Sequence, residues 1–317
     1  MRQFFLKSLA IEFFTLLNLV RDQQQLMVEN FTRQTSLGML WMLGSGLCFV
    51  TVIGLVRYLE GSLPAAEASF IRYLIGLVFF VPYLWKYSSK LFRRSNLLRY
   101  FIRSGFHSLG VVAWFFAMSK LPVAEVTAIG YMTPVFVTLG AVLVFKEKIS
   151  VWRTSAIILA FFGVLMILRP GFQNLSFGHG AQIFATIFFA GSYLMVKDLT
   201  RTESATAIVA MMTLFVTIAL APMAAVVWVK PSINEIAVLT FVALFATAGH
   251  FFMTKALALA PLVVVQPVEF LKLVWATLLG ILIFGERIDP FVLIGGGLII
   301  ISVTLISYRE SILRKKS

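Results

Sequence analysis

Glu269 and Lys272 stand three residues apart in an otherwise apolar stretch, 262–284, so a helix there carries both on one face. A charge inside an apolar span is costly unless it meets a partner or a wet cavity. Two roles compete for this pair. In one, Lys272 binds a carboxylate or phosphate and Glu269 binds a cationic group or carries a coupled proton. In the other, the two charges neutralise each other and fix the helix. Arg72 lies near the centre of a second apolar stretch, where its guanidinium fork suits an anion. Pairing with helix-end carbonyls, Glu67 or Glu269 is its plainer role. His107 and His250 carry the one side chain that titrates near neutrality. They are candidate cavity contacts, or polar residues satisfied between helices. Trp114, Tyr131 and Trp275, together with Trp41 and Tyr193, are candidate cavity aromatics, with packing or lipid contact as the alternative.

Backbone chemistry adds a second signal. Pro134 has no N–H, so the carbonyl of Gly130 loses its helical donor, which predicts a break and a free acceptor beside Tyr131. Pro267 does the same to Val263. Glu67 follows Pro64 and Glu125 follows Pro122, where carboxylates complement a helix start. Three His and one Cys, with none at short ligand spacing, argue against a metal. Cys48 alone builds no disulfide framework. No cofactor motif stands out.

The elements that position these residues are helices in lipid. Of 317 residues 60% are hydrophobic and 13% charged, and the mean hydropathy is +0.93. Soluble domains hold about 25% charged residues. Ten apolar runs recur: 37–56, 64–84, 102–119, 123–145, 151–168, 176–196, 206–229, 235–259, 262–284 and 290–308. Each approaches the roughly 20 residues that cross a bilayer as a helix. Pro64, Pro122, Pro231, Pro261 and Pro290 fall near their starts, where a missing N–H costs least. The net charge of +13 is a record of topology rather than a nucleic-acid footprint, because 20 of the 27 basic residues fall on one set of alternating loops. Both termini are thereby expected in the cytoplasm. Residues 1–35 form an N-terminal extension: an interfacial helix, a poorly packed tail, or a mis-assigned start ahead of Met27. Residues 309–317 form a basic cytoplasmic tail.

Self-comparison divides the chain. Residues 110–149 slide onto 249–288 without a gap, matching Gly110, Ala117, Pro122, Val126 and Glu147, among others, with identical residues. Gly38 and Phe49 match Gly178 and Phe189 at a shift of 140. Five spans are repeated, so the second copy must cross the membrane upside down. The predicted fold is an all-α integral membrane protein of ten transmembrane helices, arranged as a 5+5 inverted-topology repeat over 36–169 and 170–308. Glu147 and Glu286, matched at helix ends, read as structural. Glu269 and Lys272 meet the uncharged Gly130 and Thr133, so charge marks one half only.

The ten spans and the motifs Phe145-Lys146-Glu147, Phe284-Gly285-Glu286, Arg72-Tyr-Leu-Ile-Gly and Gly130-Tyr-Met-Thr-Pro134 resemble the EamA type of the drug/metabolite transporter superfamily. The resemblance covers residues 36–308. It implies alternating access around a central cavity lined by both halves, with substrates ranging over amino acids, nucleotide-linked compounds, vitamins and drugs. The expected function is secondary transport of a small polar organic metabolite across the bacterial inner membrane: an amino acid, an S-adenosylmethionine-like compound or a vitamin. Coupling to a proton and a homodimer are compatible with it. A membrane-embedded enzyme on a lipid-linked substrate is the alternative, but no acid/base cluster, Ser/His/Asp arrangement or Gly-rich phosphate loop supports it. A passive channel needs no repeated halves.

Overall fold

The computed structural model describes residues 34–314 except 60, 92–93, 146–150, 170–174, 261 and 288. Most of the N-terminal extension, Glu147, Pro261 and the last three residues of the basic tail therefore lie outside the described residues. The described residues contain helices and connecting turns and no strand. In chain order the helices are α1 (Gln34–Tyr58), α2 (Ala65–Val78), α3 (Val81–Leu91), α4 (Arg94–Met118), α5 (Val123–Gly130), α6 (Thr133–Phe145), α7 (Val151–Leu168), α8 (Phe177–Leu199), α9 (Ala205–Val226), α10 (Ile233–Leu259), α11 (Leu262–Phe284) and α12 (Pro290–Arg314).

Among the described residues five helices are long and apolar enough to cross a membrane: α1, α4, α8, α9 and α10. A sixth span arises if α2 and the start of α3, bent by 62°, are counted together. Shorter apolar helices cover Val123–Val137, Thr154–Leu168 and Pro290–Leu305. Two of the apolar runs are thus each two helices: 123–145 divides at the break that Pro134 predicts, and 64–84 divides where a single helix was expected. Run 64–84 ends its first helix at Val78, because Pro82 lacks an N–H and its ring collides with the preceding turn; α3 restarts with Pro82 in its first turn. Run 123–145 stops at Gly130 and resumes at Thr133. By contrast α11 runs from Leu262 to Phe284 without interruption, so Pro267 does not break it. Pro267 lies in the second turn, and only one carbonyl loses its partner there.

The packing repeats itself in the way the sequence shift does. α4 lies along α8, α7 along α12 and α2 along α9. Gly38 faces Ala260, and its counterpart Gly178 faces Leu121, the counterpart of Ala260. Gly249 lies against Phe49, and Gly110 against the matching Phe189. Where α7 crosses α12, a Cβ on Gly163 would meet the Gly295 carbonyl at 2.6 Å, and the reverse at 2.5 Å. Close approach of this kind is how small residues let helices pack in lipid, where apolar burial gives little drive. The outward faces are apolar, with Leu40, Phe177, Val226 and Leu282 all exposed.

Candidate functional site

A cavity of about 220 Å³ opens among α1, α2, α4, α5, α6, α8, α10 and α11. On α11 the Lys272 ammonium sits 3.3 Å from the Glu269 carboxylate, and both side chains reach the cavity. Lys272 also stands 5.8 Å from the Phe49 ring centre and 5.7 Å from that of Tyr131, within cation–π range.

Tyr131 occupies the gap between α5 and α6. Its hydroxyl donates to the Phe270 carbonyl at 3.1 Å, which ties the helix break to α11. The Gly130 carbonyl that Pro134 deprives of a donor is not left free, as the sequence reading expected: the Thr133 hydroxyl donates to it at 2.7 Å. A threonine one residue before the proline is near enough to cap the orphan. Gly130, Thr133 and Pro134 all line the cavity.

His107 on α4 and His250 on α10 meet across the cavity with ring centres 5.2 Å apart. Phe49 packs on His250 at 5.0 Å and Phe189 on His107 at 5.2 Å, so each imidazole rests on one member of a matched phenylalanine pair. Arg72 is buried, stacked over the Tyr73 ring at 3.6 Å. Trp114 and Tyr193 are on the lining as well. Trp275 is not: it is 41% exposed and turned away from the cavity. Trp275 is six residues beyond Glu269, which rotates it about 120° from that side chain at 3.6 residues per turn. Trp41 packs on Phe251 and Phe252 outside the cavity.

Arg103, Gln182, Phe49 and Phe189, four lining residues, were missed by the sequence reading. Arg103 counts there as a topology-marking charge, yet it is only 1% exposed and donates to the Ile208 carbonyl at 2.9 Å. Its spacing of four from His107 was the available signal. Gln182 donates to the Val126 carbonyl at 3.0 Å, and Phe49 and Phe189 carry no charge to single them out. Among the described residues no cluster of three His, Cys, Asp or Glu could hold a metal.

One end of the bundle is closed by polar contacts. Glu286 accepts the Val123 N–H at 3.0 Å and pairs with Arg57 at 3.5 Å, while Arg57 donates to the Met118 carbonyl at 3.2 Å. Gly285, at φ 62°, lets the chain turn so that Glu286 N–H reaches the Gly280 carbonyl. His179 bonds Glu125 at 2.8 Å, and Arg169 pairs with Asp289. Glu67 accepts the Val229 N–H at 2.9 Å. Glu67 and Glu125 therefore each have partners beyond their own helix start. Burial pushes the Glu286 carboxyl above the usual range, against the Val123 N–H and Arg57, which pull it down.

A mostly apolar cavity carrying a few charged and polar side chains, inside a helical bundle with an apolar exterior, is the build of a membrane transport protein. The sequence matches the EamA-like transporter family over residues 36–169 and again over 176–308, so the chain belongs to that family. It is a multi-pass membrane protein, and this family points to a transporter rather than an enzyme. A riboflavin transporter of Vibrio cholerae is 29% identical over 86% of this chain and 94% of its own. A riboflavin transporter of Rhizobium johnstonii is 27% identical over 94% of this chain and 99% of its own. An S-adenosylmethionine uptake transporter of Rickettsia bellii is 24% identical over 87% of this chain and 94% of its own. A protein of known crystal structure superposes with a TM-score of 0.61 over 88% of this chain and 99% of its own at 14% identity, which is a likeness of fold.

Proposed function

We propose that this protein is a secondary transporter that moves a small polar organic metabolite across the bacterial cytoplasmic membrane by alternating access, with the central cavity as its binding site. Ten spans in two inverted halves of five carry the motion, and both termini face the cytoplasm. The observation that carries the proposal is the cavity lining. Phe49 and Phe189, Gly130 and Glu269, and Thr133 and Lys272 are counterparts under the sequence shift, and all six line it. Both halves contribute to one site, which is what rocking one half against the other about a midplane site requires. The aromatic and charged lining suits a ring-bearing metabolite, and the relatives named for riboflavin and S-adenosylmethionine make these the first two substrates to try.

Expression in a riboflavin-requiring bacterium that lacks its own uptake system tests this. Growth at riboflavin concentrations too low for the empty host, lost in Glu269→Gln at equal membrane abundance, is the expected result. A parallel strain that requires S-adenosylmethionine distinguishes the second candidate. Growth rescue that is the same with Glu269→Gln and Lys272→Ala as with the wild type would remove the site assignment.

A further inference from the structure

We infer that the cavity holds its ligand through an anionic group, a carboxylate or a phosphate ester, bound between Arg72 and Arg103. The inference rests on reading the cavity as the transport site and adds the chemical class of what enters it.

The argument is one of charge and partners. Three cationic side chains line the cavity, Arg72, Arg103 and Lys272, against one carboxylate, Glu269. That carboxylate is taken by Lys272 at 3.3 Å. Among the described residues no carboxylate pairs with either arginine. Arg72 stacks over the Tyr73 ring and Arg103 donates to the Ile208 carbonyl, and neither contact supplies a counter-charge. Both arginines are more than nine-tenths buried, at 5% and 1% exposure, and the Nε–H of each has no hydrogen-bond partner. A guanidinium does not discharge by losing its proton. Two uncompensated cations in an apolar bundle therefore call for a counter-charge from whatever fills the cavity they line.

The neighbouring groups fit the same ligand. His107 and His250 line the same cavity as Arg72 and Arg103. His107 Nε2 and His250 Nδ1 each lack a partner. A neutral imidazole donates from one ring nitrogen, so two further donors are within the same chamber for the remaining oxygens of an anion. The Phe49 and Phe189 rings that back the imidazoles leave an apolar surface for the uncharged body of the ligand.

The test measures binding to the purified full chain in detergent by thermal shift and by quenching of flavin fluorescence. The probes are riboflavin, riboflavin 5′-phosphate and the 5′-carboxylic acid of riboflavin, which share one ring system and differ in charge. A second arm compares inorganic phosphate and acetate with chloride at equal ionic strength. The wild type is expected to prefer an anionic flavin over riboflavin by at least about tenfold, and the better of the two anions identifies phosphate or carboxylate as the natural group. Arg72→Gln and Arg103→Gln should each lose that preference; Arg72→Lys, which keeps the charge but not the fork, should lie between. Should the glutamine variants fail to fold, Arg72→Lys and Arg103→Lys carry the same comparison. Equal binding of riboflavin and its anionic forms by the wild type overturns the inference and leaves the transport reading standing. Stabilisation by phosphate or acetate, absent in the arginine variants, with no flavin bound, sustains the inference and removes flavin as the substrate. Anion stabilisation that is unchanged in both arginine variants overturns it.

Discussion

The pairing of Lys272 with Glu269 decides how each can be altered. Removing one partner leaves the other charge in the cavity without its counter-ion. A fully buried pair broken this way loses about 3–5 kcal/mol. Here the side chains keep 18% and 25% of their exposure, so Lys272→Ala is expected to lose about 1–2 kcal/mol after screening. Removing both charges in Glu269→Gln/Lys272→Met should recover most of that stability and none of the transport. Thermal unfolding in detergent and uptake, measured on the same preparations, check both parts. These charges were legible in the sequence because a charge within an apolar run has few ordinary explanations. Arg103 was not, because an arginine near the end of a run is equally a marker of the cytoplasmic side. Gln182 and Phe49 carry no signal until the helices are brought together.

At the scale of the elements, close crossings and polar end contacts set the geometry. Gly163 and Gly295 face each other's carbonyls at 2.5–2.6 Å, so alanine at either position forces α7 and α12 apart. Each substitution should cost about 1–3 kcal/mol, and the two together less than their sum because they strain one contact. Gly297, with nothing within 4 Å of an added Cβ, is the control: alanine there should be neutral or stabilising. Melting temperatures of the three variants test the crossing. Glu286 gives a pH dependence. Its carboxyl is raised by burial, so the packed state favours its protonated form. The sign follows: its contribution to stability is complete below the ordinary glutamate value of about 4.3 and is lost as pH rises through the raised value. Stability measured upward from about pH 4 should fall more steeply in the wild type than in Glu286→Gln. Equal slopes would show that the carboxylate is no more buried than in the unfolded chain. The helix break at Gly130 was readable from Pro134, but its capping by Thr133 was not, since a hydroxyl's choice of partner depends on local backbone geometry. Pro82 was the signal for the break between α2 and α3; its counterpart Pro222 sits inside an unbroken α9, so proline alone does not decide the outcome.

For the molecule as a whole, the sequence shift of 139 to 140 was the most informative feature. It pairs residues that the structure brings into equivalent contacts, Gly38 with Ala260 and Gly178 with Leu121. The repeat was readable because packing glycines tolerate no larger residue, and so they mark the register. Orientation rests on the loop charges. Single cysteines placed at Lys230 and at Ser311 in a Cys48→Ala background should label oppositely with a membrane-impermeant maleimide in intact cells: Lys230→Cys labelled, Ser311→Cys protected. The reverse pattern would invert the topology.

The most direct test of the central claim is counterflow in proteoliposomes. Radiolabelled riboflavin outside should enter saturably, faster when unlabelled riboflavin is trapped inside, and at least about tenfold more slowly with Glu269→Gln. Entry that is unsaturable, or that proceeds equally with Glu269→Gln, would contradict alternating access of this metabolite through the cavity.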